Sequence, residues 1–450
     1  MVTSGLSFWR TSELGESAAV YDELTKARKE APEDLVVSGS FFQETKKAKL
    51  YGMLKRVAGI AAPALAATGL LVAGVTALPV VMFAGGLALL TALTAKEQGP
   101  AIKTALEDYK LARQYQQYEG LNVWREGGEA TEVDVETTSS PQAGAREMLF
   151  SNMRDFPNSF HVVHANGHGL GSKYTAGLPT QQWAEALGDA SEKAQNDVDV
   201  ALLDTCFGAS FEAVSRLGQR RPHGVKFVVA FEDAIPNSNS SGGRIPLKAM
   251  LTEALDQTTA HGLAVSMAKT AAQHFNKPNN QPISQVPLTE RLSDASLEMR
   301  RQGLDSTVVA IDVEALQSKL HPALDRLGAQ LQKAMSDPAV TTSIQQAKKA
   351  SEIEPTQDLV DLGGFLARIL ETAPEGSALQ SSLKEALSSL DATLIFKRTG
   401  QKYPLSGLSI HTRDKAGGSG RFGEISPLPT RPLDGDHLPK GWVEFIKEAF

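Results

Sequence analysis

The fold class is indicated most directly by an apolar run that ends at a cysteine. Residues 198–203 read Val-Asp-Val-Ala-Leu-Leu, and Asp204, Thr205 and Cys206 follow directly. A short apolar stretch after Cys206 predicts a helix over residues 211–217. A strand that stops where a helix starts is typical of α/β folds, which bind ligands beyond the carboxyl ends of parallel strands. The sequence therefore predicts Cys206 at such an edge, where a helix dipole would favour its thiolate.

A second predicted strand end precedes the first in the chain and carries a histidine. The apolar run 160–165 is followed by Asn166-Gly167-His168-Gly169. The glycines beside His168 let the backbone approach a ligand closely and leave the imidazole accessible. A histidine and a cysteine at the ends of two successive strands are the parts of a thiol peptidase. The alternative is that Cys206 is a small buried apolar residue.

Composition excludes several classes of protein. The 450 residues contain 45 basic and 52 acidic side chains, a net charge of -7, so no electrostatic footprint for nucleic acid exists. Cys206 is the only cysteine, which excludes an internal disulfide framework and a cysteine-based zinc site. The first twenty residues lack the basic start and apolar stretch of a secretory signal.

The segment from Val57 to Ala95 contains no charged residue and is rich in Ala, Leu, Val and Gly. A membrane span needs about 20 apolar residues, so this segment fits one long span or two short ones separated near Pro79. Basic residues flank both ends, which favours a helical hairpin with its ends on the cytoplasmic-type side of a membrane. A soluble, fully buried helical pair is the alternative.

We therefore divide the chain into four parts. They are a polar N-terminal region (1–56), a hydrophobic helical hairpin and probable membrane segment (57–95), a helix with an acidic linker (96–145) and an α/β domain (146–450). Alternating strand and helix patterns in the last part predict a mainly parallel sheet. The candidate strands are 160–165, 198–204, 225–231, 307–312, 392–397 and 407–411.

Five sequence blocks, in order, carry a resemblance to a known family. They are His168-Gly169-Leu170-Gly171, then Leu202 to Glu212 around Asp204-Thr205-Cys206, then Ser306 to Asp312, then Asp358 to Leu362, and finally Ser406 to Ile410. These blocks resemble those of the clostripain-like cysteine peptidases, which share the caspase–hemoglobinase fold. The resemblance implies a three-layer α/β sandwich for about residues 150–450. It also implies a long strand–helix unit well before His168, whose usual sequence this chain does not show; Leu121-Asn122-Val123-Trp124 and Val133-Asp134-Val135 are weak substitutes.

The resemblance also implies roles for individual residues. Cys206 would be the nucleophile and His168 its proton-transfer partner, with the backbone N–H groups of Gly169 and Cys206 as oxyanion donors. Asp204 would select arginine or lysine at the cleavage site, together with Glu232 or Asp233. The alternative for Asp204 is a strand-end residue that binds backbone amides.

Self-processing between the histidine and cysteine blocks is a further expectation, and Lys173 and Lys193 are the basic residues in that interval. Some relatives depend on calcium, but no acidic cluster with calcium-loop spacing occurs here. His161 and His164 are three apart on a strand, so they face opposite sides and predict no metal site.

The resulting prediction is a membrane-associated cysteine endopeptidase that cleaves protein or peptide substrates after basic residues. It requires no cofactor and binds no nucleic acid. A membrane-inserting effector or scaffold with an inert peptidase-like domain is the alternative. A different thiol hydrolase on the same sheet is a third possibility to which no residue points.

Overall fold

A computed structural model of the protein describes a central sheet, its helical layers and two small sheets. The described residues are 6–13, 35–43, 120–126, 141–166, 169, 171, 173–175, 178–219, 222–233, 235, 245–275, 306–354, 358–400, 404–412, 433 and 436–450. The uncharged segment 57–95 and His168 lie outside them. Within the described ranges, no helix has the length and apolar character that crossing a bilayer requires. The hairpin over 57–95 therefore stays a prediction.

The central sheet has eight strands and is mainly parallel. The strands of the protein, in chain order, are β1 (Leu6–Glu13), β2 (Leu35–Gln43), β3 (Gly120–Glu126), β4 (Phe160–Asn166), β5 (Tyr174–Thr175), β6 (Leu178–Pro179), β7 (Val198–Asp204), β8 (Val225–Phe231), β9 (Val308–Asp312), β10 (Glu352–Glu354), β11 (Leu359–Asp361), β12 (Leu394–Arg398) and β13 (Ser409–His411). The order across the central sheet is β12-β9-β8-β7-β4-β1-β2-β3. Strands β2, β1, β4, β7 and β8 are parallel to one another. Their carboxyl ends therefore share one edge of the sheet.

The remaining strands are antiparallel to their neighbours. Strand β3 pairs with β2, β9 with β8, and β12 with β9, all in antiparallel sense. Strands β10, β11 and β13 form a separate three-stranded sheet, and β5 with β6 forms a two-stranded one. The three-stranded sheet is joined to the loop after β7, because the backbone N–H of Ser409 donates to the carbonyl of Ala209 at 3.0 Å.

Helices cover both faces of the central sheet. They are α1 (Pro141–Asp155), α2 (Thr180–Ala194), α3 (Phe211–Leu217), α4 (Leu247–Leu255), α5 (Ala260–Phe275), α6 (Val313–Ala315), α7 (His321–Ala334), α8 (Pro338–Ala350), α9 (Leu362–Thr372), α10 (Ala378–Thr393) and α11 (Lys440–Ala449). A π-helical turn, Leu316–Leu320, joins α6 to α7.

Two apolar cores separate the three layers. On one face, Val200 and Leu202 of β7 pack in a cluster with residues of α4 and α5, which we call the α4/α5 face. On the opposite face, Ala201 and Leu203 belong to the larger cluster formed with α1, α2, α3 and the C-terminal helices. Because successive side chains of a strand point to opposite faces, one strand supplies both cores. The three-layer α/β sandwich with a mainly parallel sheet is thus confirmed.

The strands predicted from residue 160 onward are confirmed with small shifts of their ends. Strands β7 and β8 are largely apolar because both of their faces are covered, as parallel sheets require, and β4 buries His161, His164 and Asn166 beside its apolar residues. The register between β4 and β7 places Asn166 beside Asp204, at the carboxyl edge. This edge therefore brings together the two segments that the sequence singled out.

The N-terminal region contributes strands that the sequence analysis did not anticipate. Strand β1 pairs with β4 over residues 6–12, and β2 continues the parallel sheet beyond β1. Strand β3 includes Leu121-Asn122-Val123-Trp124, which the sequence offered as a weak substitute for a missing strand. The sheet thus includes strands from residues 1–56, the region we had set apart from the α/β domain.

Candidate active site

Cys206 lies on a tight turn beyond the carboxyl end of β7. Three backbone hydrogen bonds fix this turn: Gly208 N–H donates to the Thr205 carbonyl at 3.3 Å, Phe207 N–H to the Asp233 carbonyl at 3.0 Å, and Ala209 N–H to the Phe231 carbonyl at 2.9 Å. Phe207 has a φ of 56°, in the left-handed region. The turn is thus tied to the end of β8, and Cys206 projects from a rigid support.

Cys206 is partly exposed, and its sulfur faces a backbone donor. The N–H of Ile235, in the segment after β8, donates to Sγ at 3.3 Å. Helix α3 begins at Phe211, where Ser210 is the N-cap and its Oγ accepts from Ala213 N–H at 3.2 Å. The sequence placed Cys206 at the start of this helix. Since a helix dipole acts mainly within the first turn, Ser210 rather than Cys206 occupies that position.

The histidine block approaches the cysteine turn through its glycines. His168 lies outside the described residues, but Gly169, which follows it in the chain, is described. A Cβ atom at Gly169 would lie 2.5 Å from the carbonyl oxygen of Cys206 and 2.7 Å from Cβ of Thr205. Such distances are too short for any side chain, so residue 169 must be glycine for the two segments to touch. The candidate oxyanion residues Gly169 and Cys206 are therefore in direct contact.

Asp204 is buried at the carboxyl edge, 1% exposed, beside two side chains of β4. Asn166 Nδ2 donates to its Oδ2 at 2.5 Å, and His164 Nε2 lies 3.4 Å from the same oxygen. The second carboxylate oxygen, Oδ1, has no hydrogen-bond partner in the described part of the protein. One oxygen of Asp204 is thus held by the protein, and the other is left for a donor.

The two further acidic candidates lie in different surroundings. Glu232 is fully buried and accepts a hydrogen bond from the backbone N–H of Gly407. Burial and the nearby carboxylate of Asp361 raise the pKa of Glu232 well above its usual value. Gly407 and Asp361 lie beside residues of the larger core, Leu408, Val360 and Leu362, so Glu232 points away from the α4/α5 face.

Asp233 lies closer to the cysteine turn than Glu232 does. Its carbonyl accepts from Phe207 N–H at 3.0 Å, and its Oδ2 accepts from Thr307 N–H at 3.4 Å. Its backbone is thus part of the support under Cys206.

The two candidate self-processing sites, Lys173 and Lys193, lie in different secondary structure. Lys173 is half-buried on a bend, and burial lowers its pKa against the opposing effect of Asp358 and Glu212. Lys193 is in the last turn of α2, exposed, with its Nζ 3.2 Å from Glu147 Oε2 and 3.9 Å from the centre of the Phe150 ring. A peptidase binds its substrate extended, which a residue inside a helix cannot offer without local unfolding.

Glu212, the glutamate of the cysteine block, is buried behind the turn. Its Oε1 accepts the backbone N–H of His411 at 2.9 Å, and burial raises its pKa to about 8. The imidazole of His411 in turn covers the histidine block, since a Cβ at Gly171 would lie 2.8 Å from His411 Nε2. Glu212 and His411 thus link β13 to both the cysteine block and the histidine block.

Sequence reasoning missed Asn166, His164 and His411 as parts of this region. The spacing of His164 and Asn166, two apart on β4, places them on one face and could have indicated a pair. Their partner on β7 depends on strand register, which the sequence does not specify. Among the described residues, no group of three or more His, Cys, Asp or Glu side chains could hold a metal ion.

Known structures with a similar chain path are cysteine proteases. A secreted C11 cysteine protease from Bacteroides thetaiotaomicron superposes with a TM-score of 0.48 and 10% identity, covering 91% of this chain and 94% of that one. Its complex with an irreversible peptide inhibitor gives 0.48 and 12%, covering 94% and 97%. An inactive zymogen C11 protease from Parabacteroides distasonis gives 0.46 and 9%, covering 99% of each chain. No protein-family model matches the sequence, and no curated protein matches it.

Proposed function

We propose that this protein is a cysteine endopeptidase in which Cys206 and His168 form the catalytic dyad. The observation that carries the proposal is the contact between Gly169 and the Cys206 turn at the carboxyl edge of the sheet. That contact brings the residue next to His168 against the nucleophile turn. Cys206 is partly exposed on a turn held by three backbone hydrogen bonds, which meets the first requirement of a nucleophile, access to substrate.

The chemistry then follows in two stages. The Cys206 thiol passes its proton to His168, and the resulting thiolate attacks the peptide carbonyl carbon, so that the oxygen takes up negative charge beside the backbone N–H groups of Gly169 and Cys206. Each such donor is worth about 3 kcal/mol of transition-state stabilisation. His168 protonates the leaving amine as the C–N bond breaks and gives an acyl-enzyme. Water, deprotonated by His168, hydrolyses the thioester and restores the thiol.

Basic specificity is proposed from Asp204. It lies two residues before Cys206 on the same strand end, and its Oδ1 lacks a partner in the described part of the chain. A lysine or arginine side chain of the substrate would supply the missing donor and the compensating charge, since a buried carboxylate without either is costly. Of the two other acidic candidates, Asp233 is the better placed, because Glu232 is directed to Gly407 and Asp361.

We propose that self-processing occurs at Lys173. This residue is on a non-helical bend between the two catalytic blocks, whereas Lys193 is inside α2. Membrane association is proposed from the uncharged segment 57–95 and its basic flanks. That same segment favours the second candidate function, a membrane-inserting effector or scaffold whose peptidase-like domain is inert.

A turnover experiment separates the two candidate functions. The protein is incubated with a peptide library of all residue types at the cleavage site, and products are mapped by mass spectrometry. We expect cleavage after arginine or lysine that Cys206→Ala abolishes, with the melting temperature of the variant unchanged. Cys206→Ser serves as the near-isosteric control, and His168→Ala should lower turnover roughly 10²–10⁴-fold. Turnover that survives in Cys206→Ala would refute the assignment, and a wild type without turnover would favour the inert scaffold.

A further inference from the structure

We propose that Asn166 and His164 are positioning residues that hold the Asp204 carboxylate in place for a cationic substrate side chain. The inference rests on the proposed function, since it concerns the same specificity site. It adds two residues of β4 that no sequence block contains.

The sheet register builds this arrangement. Asn166 lies beside Asp204 in the parallel pairing of β4 with β7, and His164 lies beside Leu202. Because side chains two apart share a face, His164, Asn166 and Asp204 all point to the α4/α5 face, where Leu202 packs. The sulfur of Cys206 packs against the same cluster. The nucleophile and the proposed specificity carboxylate thus lie on one side of the sheet.

Both contacts to Asp204 reach the same oxygen. Asn166 Nδ2 donates to Oδ2 at 2.5 Å and His164 Nε2 lies 3.4 Å from it, while Oδ1 has no hydrogen-bond partner in the described part of the protein. All three side chains are at most 1% exposed. Fixing one oxygen from the side leaves the carboxylate a single orientation, with the buried Oδ1 as the atom that an incoming ammonium or guanidinium group would pair with.

Two other buried carboxylates near the site are held differently. Glu212 accepts the backbone N–H of His411, and Glu232 accepts the backbone N–H of Gly407. The contacts of Asp204 with Asn166 and His164 are made by side chains, so its orientation can be altered by substituting them without disturbing a backbone hydrogen bond. Preorganised charge of this kind is what distinguishes a cationic substrate from a neutral one of equal shape.

The test compares matched peptide substrates with arginine or with citrulline, its neutral isostere, at the cleavage site. The readout is the ratio of kcat/KM for the two substrates. We expect Asn166→Ala to lower the arginine-to-citrulline ratio roughly tenfold or more, mainly by raising KM for arginine, since a hydrogen bond to a charged group is lost. His164→Leu should lower it as well, whereas His164→Gln, whose amide nitrogen can replace Nε2, should retain it.

The controls keep failure of this proposal distinct from failure of the proposed function. Asp204→Asn should bring the arginine-to-citrulline ratio of kcat/KM to about one. If the ratio is already about one in the wild type and Asp204→Asn does not change it, the proposed basic specificity is wrong. If Asp204→Asn brings this ratio to about one but Asn166→Ala and His164→Leu keep the wild-type ratio, the positioning role is overturned. An equal fall in kcat/KM for the arginine and the citrulline substrate in Asn166→Ala and His164→Leu would also overturn the positioning role. Should Asn166→Ala fail to fold by its melting curve, Asn166→Ser provides the same ratio measurement.

Discussion

Strand β7 carries a buried aspartate near each end, and the rest of the chain satisfies the two differently. At the amino end, Asp199 accepts the backbone N–H of His161 at 2.9 Å and pairs with Lys226 Nζ at 2.9 Å. At the carboxyl end, the contacts of Asp204 are Asn166 and His164, and no described lysine or arginine pairs with it. The charge of Asp199, at the amino end of β7, is thus balanced by Lys226 of the same protein. Under the proposed function, Oδ1 of the buried carboxylate at the carboxyl end would pair with a cation of the substrate, which would make Asp204 a binding residue and Asp199 a structural one.

Matched substitutions of the two aspartates should give the largest contrast. Asp204→Asn should reduce the preference for arginine over citrulline roughly a hundredfold or more, because a desolvated charge pair with substrate is lost. Asp199→Asn should leave that preference intact and instead lower the free energy of unfolding by about 1–3 kcal/mol. Peptide kinetics and urea unfolding measure the two effects. Loss of the preference in Asp199→Asn would erase the distinction between the two ends.

A pair of glycines sharpens the same comparison. A Cβ at Gly169, at the carboxyl edge, would strike the Cys206 backbone, whereas a Cβ at Gly224, just before β8, would meet nothing within 4 Å. We expect Gly169→Ala to lower kcat/KM about a hundredfold, since a shift of 1 Å in catalytic geometry has this order of cost. Gly224→Ala should preserve activity and raise the free energy of unfolding by up to about 1 kcal/mol. Normal kinetics in Gly169→Ala would contradict the close contact of the two blocks.

The smallest expected effect is a pH dependence from the amino end. Burial, aided by Lys226, lowers the pKa of His161 to about 4 from 6.5. The neutral imidazole is therefore favoured in the folded state, and its stabilising contribution is present above about pH 6.5 and lost as the pH falls towards 4. His161→Gln should flatten this part of the stability curve, a difference on the order of 1–3 kcal/mol. Urea unfolding at pH 7 and pH 4.5 measures it; parallel curves for variant and wild type would contradict the pKa shift.

The parts of the fold that the sequence predicted are those where one physical rule dominates. Strands β7 and β8 are largely buried on both faces, so their mostly apolar runs are visible in the sequence. Strand β1, Leu-Ser-Phe-Trp-Arg-Thr-Ser-Glu, mixes polar and apolar residues although it pairs on both sides, and no apolar run marks it. Its place in the sheet depends on long-range pairing, which local patterns do not specify.

The candidate site shows the same division. The Gly-rich histidine block and the strand-end cysteine are local patterns, and the contact of Gly169 with the Cys206 turn brings these blocks together. The partners of Asp204 depend on the register of β4 against β7, and the surroundings of Glu232 depend on its packing against Gly407 and Asp361. Those relations arise from packing of distant segments, which is why the sequence offered Glu232 and Asp233 as equals.

The central claim, that Cys206 is a nucleophile activated by His168 in the folded protein, is tested most directly by covalent labelling. The folded protein is treated with a peptidyl chloromethyl ketone ending in arginine, and the adduct is mapped by mass spectrometry. We expect one stoichiometric adduct on Cys206, and we expect it to form much more slowly in His168→Ala than in the wild type. Absence of an adduct in the folded protein while the unfolded thiol reacts, or equal labelling rates in wild type and His168→Ala, would contradict it.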